Sequence, residues 1–158
     1  MTLQNSTKEH KNSADRVITK PRLTVDLQTV ADLGVQRSYR KGNIIVNEGE
    51  IGDSLFILIQ GRVRVFSMDA GEKEITLGTI LAGDFFGEMS LDGGAGSATV
   101  EALEPCLCAV VPKEHVLAFV RDNSEFAITL LLKTIVRARK TIQTARDTAL
   151  LEKLPMQW

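Results

Sequence analysis

The chain has 158 residues, of which 44% are hydrophobic and 25% are charged, a composition typical of a globular protein. Its formal net charge of -1 supplies no overall field that would attract DNA, RNA or an anionic membrane. No apolar stretch reaches the ~20 residues of a membrane-spanning helix, and residues 1–15 lack the apolar stretch of a secretion signal. We therefore expect a cytoplasmic chain with no membrane partner and no direct binding to DNA.

The first 22 residues are polar and mixed in charge, and they predict a mobile tail or a loosely docked helix ahead of one main domain at 23–158. From Leu23 onward the apolar residues follow helical spacing, at Leu23, Leu27, Val30 and Leu33. Gly34 is expected to end this helix.

All twelve glycines lie between Gly34 and Gly96, which indicates short strands joined by tight turns. The strand candidates are Arg37–Arg40, Asn43–Asn47, Ser54–Gln60, Arg62–Met68, Lys73–Ile80, Ser97–Ala102 and Cys106–Val111. Their number and spacing predict an all-β sandwich or barrel over about 37–111. Clean alternation from Arg62 to Val65 places both arginines of this segment on the outer face.

The cysteines and histidines argue against a metal site or a catalytic centre. Cys106 and Cys108 stand alone, two residues apart in a predicted strand, and are expected to be reduced core or half-buried thiols. His10 and His115 both fall outside the barrel span. We therefore predict no metal, no cofactor and no enzymatic activity.

After Pro112 the chain is expected to turn helical, first over Lys113–Val120 and then, capped by Asn123 or Ser124, over about Glu125–Leu154, with Pro155 as the stop. The longer helix carries a heptad seam at Ile128, Leu131, Ile135, Ala138, Ile142, Ala145 and Ala149. This pattern predicts a homodimer through the helix at 125–154. Its basic residues, Lys133, Arg137, Arg139, Lys140, Arg146 and Lys153, are interpreted as a solvated face, with a partner-binding or membrane-binding face as the alternative.

A stretch at 84–100 is the candidate ligand-holding element. It runs Asp-Phe-Phe-Gly-Glu-Met-Ser-Leu and continues into a glycine-rich loop that ends Gly96-Ser-Ala-Thr-Val. A helix start beside glycines leaves backbone N–H groups without internal partners, and such groups attract anions. Within it, Phe85 and Phe86 are expected to be core residues, and Ser90 and Ser97 to be cap and loop hydroxyls.

Five blocks, taken in order, make the chain resemble the cyclic nucleotide-binding domain family over roughly 27–154. They are Tyr39-Arg40-Lys41-Gly42, Glu48-Gly49, Gly52-Asp53-Ser54-Leu55-Phe56-Ile57, Gly61-Arg62-Val63-Arg64-Val65 and Gly83-Asp84-Phe85-Phe86-Gly87-Glu88. The resemblance implies an eight-stranded jelly-roll β-barrel flanked by an N-terminal helix and long C-terminal helices at about 113–154. Within this family, the chain is similar to sensors of the bacterial catabolite-activator type.

The resemblance also implies a ligand, cAMP or another cyclic nucleotide, and the residues that would hold it. Glu88 would accept a hydrogen bond from the ribose 2′-hydroxyl, or it would cap local backbone donors instead. Backbone N–H groups near Gly87, Met89 and Ser90, with the Ser97 hydroxyl, would face the cyclic phosphate. The remaining implied contacts are Ala98 and Thr99, farther along the pocket, and Thr141, which would meet the base from the terminal helix.

Two departures from the family limit this expectation. The family's phosphate-binding arginine should stand immediately before Ser97, where this chain has Gly96, and residues 42–100 hold nine acids against Arg62, Arg64 and Lys73. Regulators of the family also follow the long helix with a helix-turn-helix domain, whereas this sequence stops at Trp158. Two hypotheses remain: a homodimeric sensor that signals to a separate effector protein, and a dimeric scaffold that has lost its ligand.

Overall fold

The computed structural model describes residues 23–153, with side chains described up to Ala149. The predicted tail at 1–22 and the predicted stop at Pro155 lie outside the described residues. The strands are β1 (Val35–Tyr39), β2 (Ile44–Val46), β3 (Ser54–Gln60), β4 (Arg62–Met68), β5 (Glu74–Leu81), β6 (Phe85–Phe86), β7 (Thr99–Ala102) and β8 (Cys106–Pro112). The helices are α1 (Val25–Ala31), α2 (Lys113–Asp122) and α3 (Ser124–Lys153), with a 3-10 helix at Glu88–Asp92.

The eight strands form two four-stranded antiparallel sheets, ordered β1-β8-β3-β6 and β2-β7-β4-β5. Neighbours in each sheet are mostly distant in sequence, and each sheet takes strands from both ends of the β region. Two such sheets with crossing connections are the arrangement of a jelly roll. The predicted fold class, a mainly β jelly roll flanked by helices, is confirmed.

Strand boundaries differ from the sequence prediction at one place that matters for the site. Residues 97 and 98 were expected to begin a strand, but β7 begins only at Thr99, so Ser97 and Ala98 belong to the preceding loop. The two-residue strand β6 was not predicted, because Phe85 and Phe86 are too short a run to show alternation. It pairs with β3, and this pairing holds the candidate ligand element against the sheet.

The interior confirms the burial pattern expected of the strands. Phe85 and Phe86 are 0% and 2% exposed, and Phe86 stacks on Phe56 with ring centroids 5.1 Å apart. The two faces of β6 join different core clusters, one beneath α1, α2 and the start of α3 and the other between the two sheets. Val63 is fully buried while Arg64 points outward to pair with Glu74 and Glu101, as the alternation predicted.

The two cysteines are free and buried in β8, so of the two predicted settings, core and half-buried, the structure shows the core. Burial raises the pKa of the Cys108 thiol to about 12, so this group stays neutral at ordinary pH and is a poor metal ligand. Among residues 23–153, no cluster of three or more His, Cys, Asp or Glu side chains is placed to hold a metal ion. Within the same span, no helix combines the length and apolar character needed to cross a membrane.

The helices α1 and α2 and the start of α3 pack on the outer face of the sheet β1-β8-β3-β6. Thr24 caps α1 by accepting a hydrogen bond from the N–H of Leu27, and α1 buries Leu27, Val30 and Ala31. It is shorter than predicted because Leu33, 43% exposed, contributes nothing to the buried face. Asn123, one of the two predicted caps of α3, does not cap this helix with its side chain. Its side-chain amide instead donates to the carbonyl of Phe119 near the end of α2.

The heptad seam of α3 is exposed along its whole length in the single chain. Its large members, Ile128, Leu131, Ile135 and Ile142, are 43–59% exposed, and the three alanines of the seam are exposed as well. A wide apolar stripe in water is costly, at roughly 25 cal/mol for each Å² that could otherwise be buried. The homodimer through this seam stays a prediction.

Candidate functional site

A cavity of about 590 Å³ opens between the inner side of β2, β4 and β5, the segment at 84–98, and one face of α3. Eight of the nine residues predicted from the sequence as ligand contacts line it: Gly87, Glu88, Met89, Ser90, Gly96, Ser97, Ala98 and Thr141. Apolar side chains, including Phe56, Val65 and Phe86, form much of the remaining wall. A concave, largely apolar chamber with a few polar groups is the usual form of a small-molecule site.

The turn at Gly87 is what brings Glu88 to the cavity. Gly87 has a φ of 85°, and a Cβ there would lie 3.0 Å from the Phe56 ring and 3.1 Å from the Ser54 carbonyl oxygen, so only glycine fits without strain. The chain then enters a 3-10 helix of five residues, Glu88–Asp92, at the helix start expected from the sequence. Ser90 caps this turn, because its hydroxyl donates to the Gly87 carbonyl at 2.7 Å and its backbone N–H donates to the same oxygen at 3.2 Å.

The loop before β7 is held by a second loop that follows β2. Gly49 N–H donates to the Gly96 carbonyl at 2.9 Å, Gly96 N–H donates to the Glu50 carbonyl at 2.9 Å, and Ile51 forms a bridge with Ala95. Gly96 itself is under no steric demand, since its φ is not positive and a Cβ would meet ordinary contacts at 3.4 Å or more. The absence of a side chain at this position therefore changes the charge of the loop without being needed for its shape.

Thr99 and Thr141 lie in different settings. Thr99 does not line the cavity, and its hydroxyl accepts a hydrogen bond from the backbone N–H of Glu48 at 3.1 Å. Thr141 lines the cavity from α3, while its hydroxyl donates to the Arg137 carbonyl one turn earlier at 3.0 Å. A ligand role stays a prediction for both, and only Thr141 is positioned to contact a molecule in the cavity.

The central contact of the site joins Arg137 of α3 to the segment at 84–88. Its guanidinium donates to Glu88 Oε1 at 2.9 Å, to Asp84 Oδ1 at 3.2 Å and to the Phe85 carbonyl oxygen at 2.6 Å. It also lies over the Phe85 ring, 4.7 Å from the centroid. Neither sequence-based alternative for Glu88, a ribose acceptor or a local backbone cap, included this partner from α3.

Lys133 extends this contact by one helical turn, because its ammonium pairs with Asp84 Oδ2 at 2.7 Å. The interpretation of the α3 basic residues as a solvated face is therefore wrong for Lys133 and Arg137. It holds for Arg139 and Arg146, which are exposed. The expectation of an acidic barrel that offers an anion only backbone donors and hydroxyls is also incomplete, since Lys133, Arg137 and Lys140 all line the cavity.

Arg137 was missed because its partners lie 49 and 53 residues away and no local pattern joins them. A signal was nevertheless present in the sequence. Lys133, Arg137 and Thr141 follow one another at steps of four, so they share one stripe of a helix. Placing Thr141 at the pocket places the two cations there as well.

Comparison with known proteins agrees with this geometry. The sequence profile described as "Cyclic nucleotide-binding domain" matches residues 36–123, more than half of the chain. The jelly roll, with Glu88 held after Gly87 and beneath the terminal helix, is consistent with this match. The chain belongs to the cyclic nucleotide-binding domain family.

Individual proteins of the same family are similar to the chain in sequence and in structure. The chain is 37% identical over 87 residues to the cyclic AMP receptor protein of Thermus thermophilus, covering 54% of this chain and 40% of that protein. It is 30% identical over 122 residues to the cAMP-activated global transcriptional regulator Vfr of Pseudomonas aeruginosa, covering 74% and 57%. The crystal structure of the Thermus thermophilus catabolite activator protein matches with a TM-score of 0.65 at 29% identity, covering 80% of this chain and 59% of that one. The chain thus spans about half the length of the curated relatives it matches.

Substitution of Arg137 tests whether it holds α3 on the segment at 84–88. The Arg137→Gln variant leaves the Glu88 side chain, only 10% exposed, without its cation, so we expect the free energy of unfolding to fall by about 1–3 kcal/mol. Urea denaturation provides the measurement. Arg146→Gln, on the exposed part of the same helix, is the matched control, and equal losses in the two variants would contradict the assignment.

Proposed function

We propose that this chain is a non-catalytic sensor or regulatory module that takes a cyclic nucleotide, such as cAMP, in the cavity beneath α3. The single observation that carries the proposal is the cavity itself, which gathers eight of the nine residues predicted as contacts. Membership of the cyclic nucleotide-binding domain family supplies the ligand class. The names of two relatives, a cyclic AMP receptor protein and a cAMP-activated regulator, agree with it.

The signal in this proposal passes through α3. Arg137 already forms an ion pair with the Glu88 carboxylate. A nucleotide whose ribose hydroxyl hydrogen-bonds to Glu88 either displaces this ion pair or shares the carboxylate with it. The ligand therefore acts on the contact that fixes α3 to the segment at 84–88. Because a ligand shifts a conformational equilibrium only through its different affinity for the two states, this shared carboxylate is the place where such a difference can arise.

Gly96 sets the expected strength of binding. A charge-assisted contact to a phosphate is worth roughly 1.5–3 kcal/mol, or about ten- to a hundredfold in affinity, and residue 96 supplies none. We therefore expect a weak or altered cyclic-nucleotide site. A separate effector protein would receive the signal, with α3 as the moving element.

The second candidate function is a dimeric interaction scaffold without a ligand. It is favoured by the ion pair that already occupies Glu88 and by the exposed seam of α3, which supports association whatever the cavity holds. The two candidates share a homodimer through the helix at 125–154. They differ only in whether a small molecule changes the protein.

A thermal-shift screen with cAMP, cGMP and cyclic dinucleotides separates the two candidates. A ligand that binds only the folded state raises the unfolding midpoint, so at least one of these compounds should raise it in a concentration-dependent manner. Adenosine 5′-monophosphate, which lacks the cyclic ester, is the control compound. A flat response to all of them at millimolar concentration would sink the sensor proposal and favour the scaffold.

The Gly96→Arg variant tests whether the missing cation is the cause of weak binding. The backbone at residue 96 accepts a side chain without strain, so we expect cAMP affinity to rise about ten- to a hundredfold in isothermal titration calorimetry. Gly71→Arg adds the same charge in the exposed β4–β5 turn, outside the cavity lining, and should leave the affinity unchanged. No gain in Gly96→Arg would mean that the cavity has been rebuilt for another ligand.

The homodimer has its own test. Ile135→Asp places a charge in the middle of the seam, and we expect sedimentation velocity to report a shift from dimer to monomer. Leu132→Asp is the matched control, because Leu132 is equally apolar and 57% exposed but lies outside the seam. A dimer that survives Ile135→Asp, or dissociates equally in both variants, would refute the seam as the interface.

A further inference from the structure

All three cations that line the cavity lie on α3. They are Lys133, Arg137 and Lys140, and the strands and loops that form the opposite wall contribute none. That wall instead contributes the carboxylates Glu50, Asp53, Asp84 and Glu88. An anionic group in the cavity is therefore repelled from the sheet side and attracted toward the helix.

Only one of the three cations has its charge available. Arg137 is engaged by Glu88, Asp84 and the Phe85 carbonyl, and Lys133 is engaged by Asp84. Lys140 forms no ion pair with any residue in the described part of the chain. It is the cation whose charge a ligand can use without breaking an existing contact.

The helical geometry places Lys140 on the cavity side. Counted from Lys133, the residues Arg137, Lys140 and Thr141 follow at steps of four, seven and eight, which is one continuous stripe of an α-helix. Lys113 is a cation near the ligand element, with its ammonium 3.7 Å from where a Cβ of Gly93 would be, but it does not line the cavity. Lys140 therefore differs from Lys113 in that it lines the cavity.

We propose that Lys140 is the specificity-determining residue that receives the negative charge of the ligand, in place of a cation at residue 96. This inference rests on the proposed function, since it names the group that recognises the phosphate of a nucleotide in this cavity. The anionic group of the ligand then lies between α3 and the loop at 93–98, so that a cation introduced at residue 96 would add to the attraction from Lys140. The helix that recognises the charge of the ligand, α3, is then also the helix that passes on the signal.

The test compares a charged and an uncharged probe on matched variants. In calorimetry, Lys140→Gln should lower the affinity for cAMP about three- to tenfold while changing the affinity for adenosine less than twofold, because only the phosphate interacts with the ammonium. Lys140→Arg should retain the affinity for cAMP. Arg139→Gln, which removes a neighbouring charge that does not line the cavity, should change neither affinity, and the weakening of cAMP binding by salt should be less steep in Lys140→Gln than in the parent chain.

Three results would overturn the inference. The first is equal cAMP affinity in Lys140→Gln and Arg139→Gln, and the second is an equal loss for cAMP and adenosine, which indicates a steric role. The first two results leave the proposed function intact. The third is cAMP binding that appears only in Gly96→Arg, which would overturn this inference together with the proposal that the parent chain binds cAMP. Absence of nucleotide binding in both the parent chain and Gly96→Arg would overturn the proposed function as well.

Discussion

The contact between Arg137 and the carboxylates of Asp84 and Glu88 is the interaction on which the rest of the site depends. It joins the terminal helix α3 to the segment at 84–88, and its partners lie about fifty positions apart in the sequence. The Glu88 side chain is only 10% exposed, so its charge needs this partner. The same pairing closes one side of the cavity, so the contact defines both the position of α3 and the space left for a ligand.

The charge pattern of the cavity follows from this arrangement. Acidic residues of the sheet side are partly neutralised by cations that reach across from α3, and the interior of the cavity is divided into an acidic wall and a basic wall. A loop arginine would have supplied a cation on the acidic wall. Without it, binding of an anion depends on the helix, and any displacement of the helix alters the field inside the cavity.

The fold was predictable from the sequence because it depends on local patterns. Alternation in β4, glycine turns and the continuous apolar run of β3 each reveal burial within a few residues. The side of the cavity formed by residues 87–98 was predictable for a different reason, since its residues follow the family's motif around Gly87 and Gly96. The partner of Glu88 was not, because it depends on the rotational phase of a thirty-residue helix packed against a distant turn, and neither composition nor spacing near Glu88 encodes that phase.

The pairing between the loop after β2 and the loop before β7 limits which sequence changes the site can accept. Two backbone hydrogen bonds and the bridge from Ile51 to Ala95 hold the two loops together, so an insertion in either loop would disturb the contacts of both. A single substitution at residue 96 faces no such barrier, because a Cβ there meets only ordinary van der Waals contacts. The backbone of the two loops thus fixes the shape of the site. Exchange of side chains on this backbone changes the charge of the site and, with it, the preferred ligand.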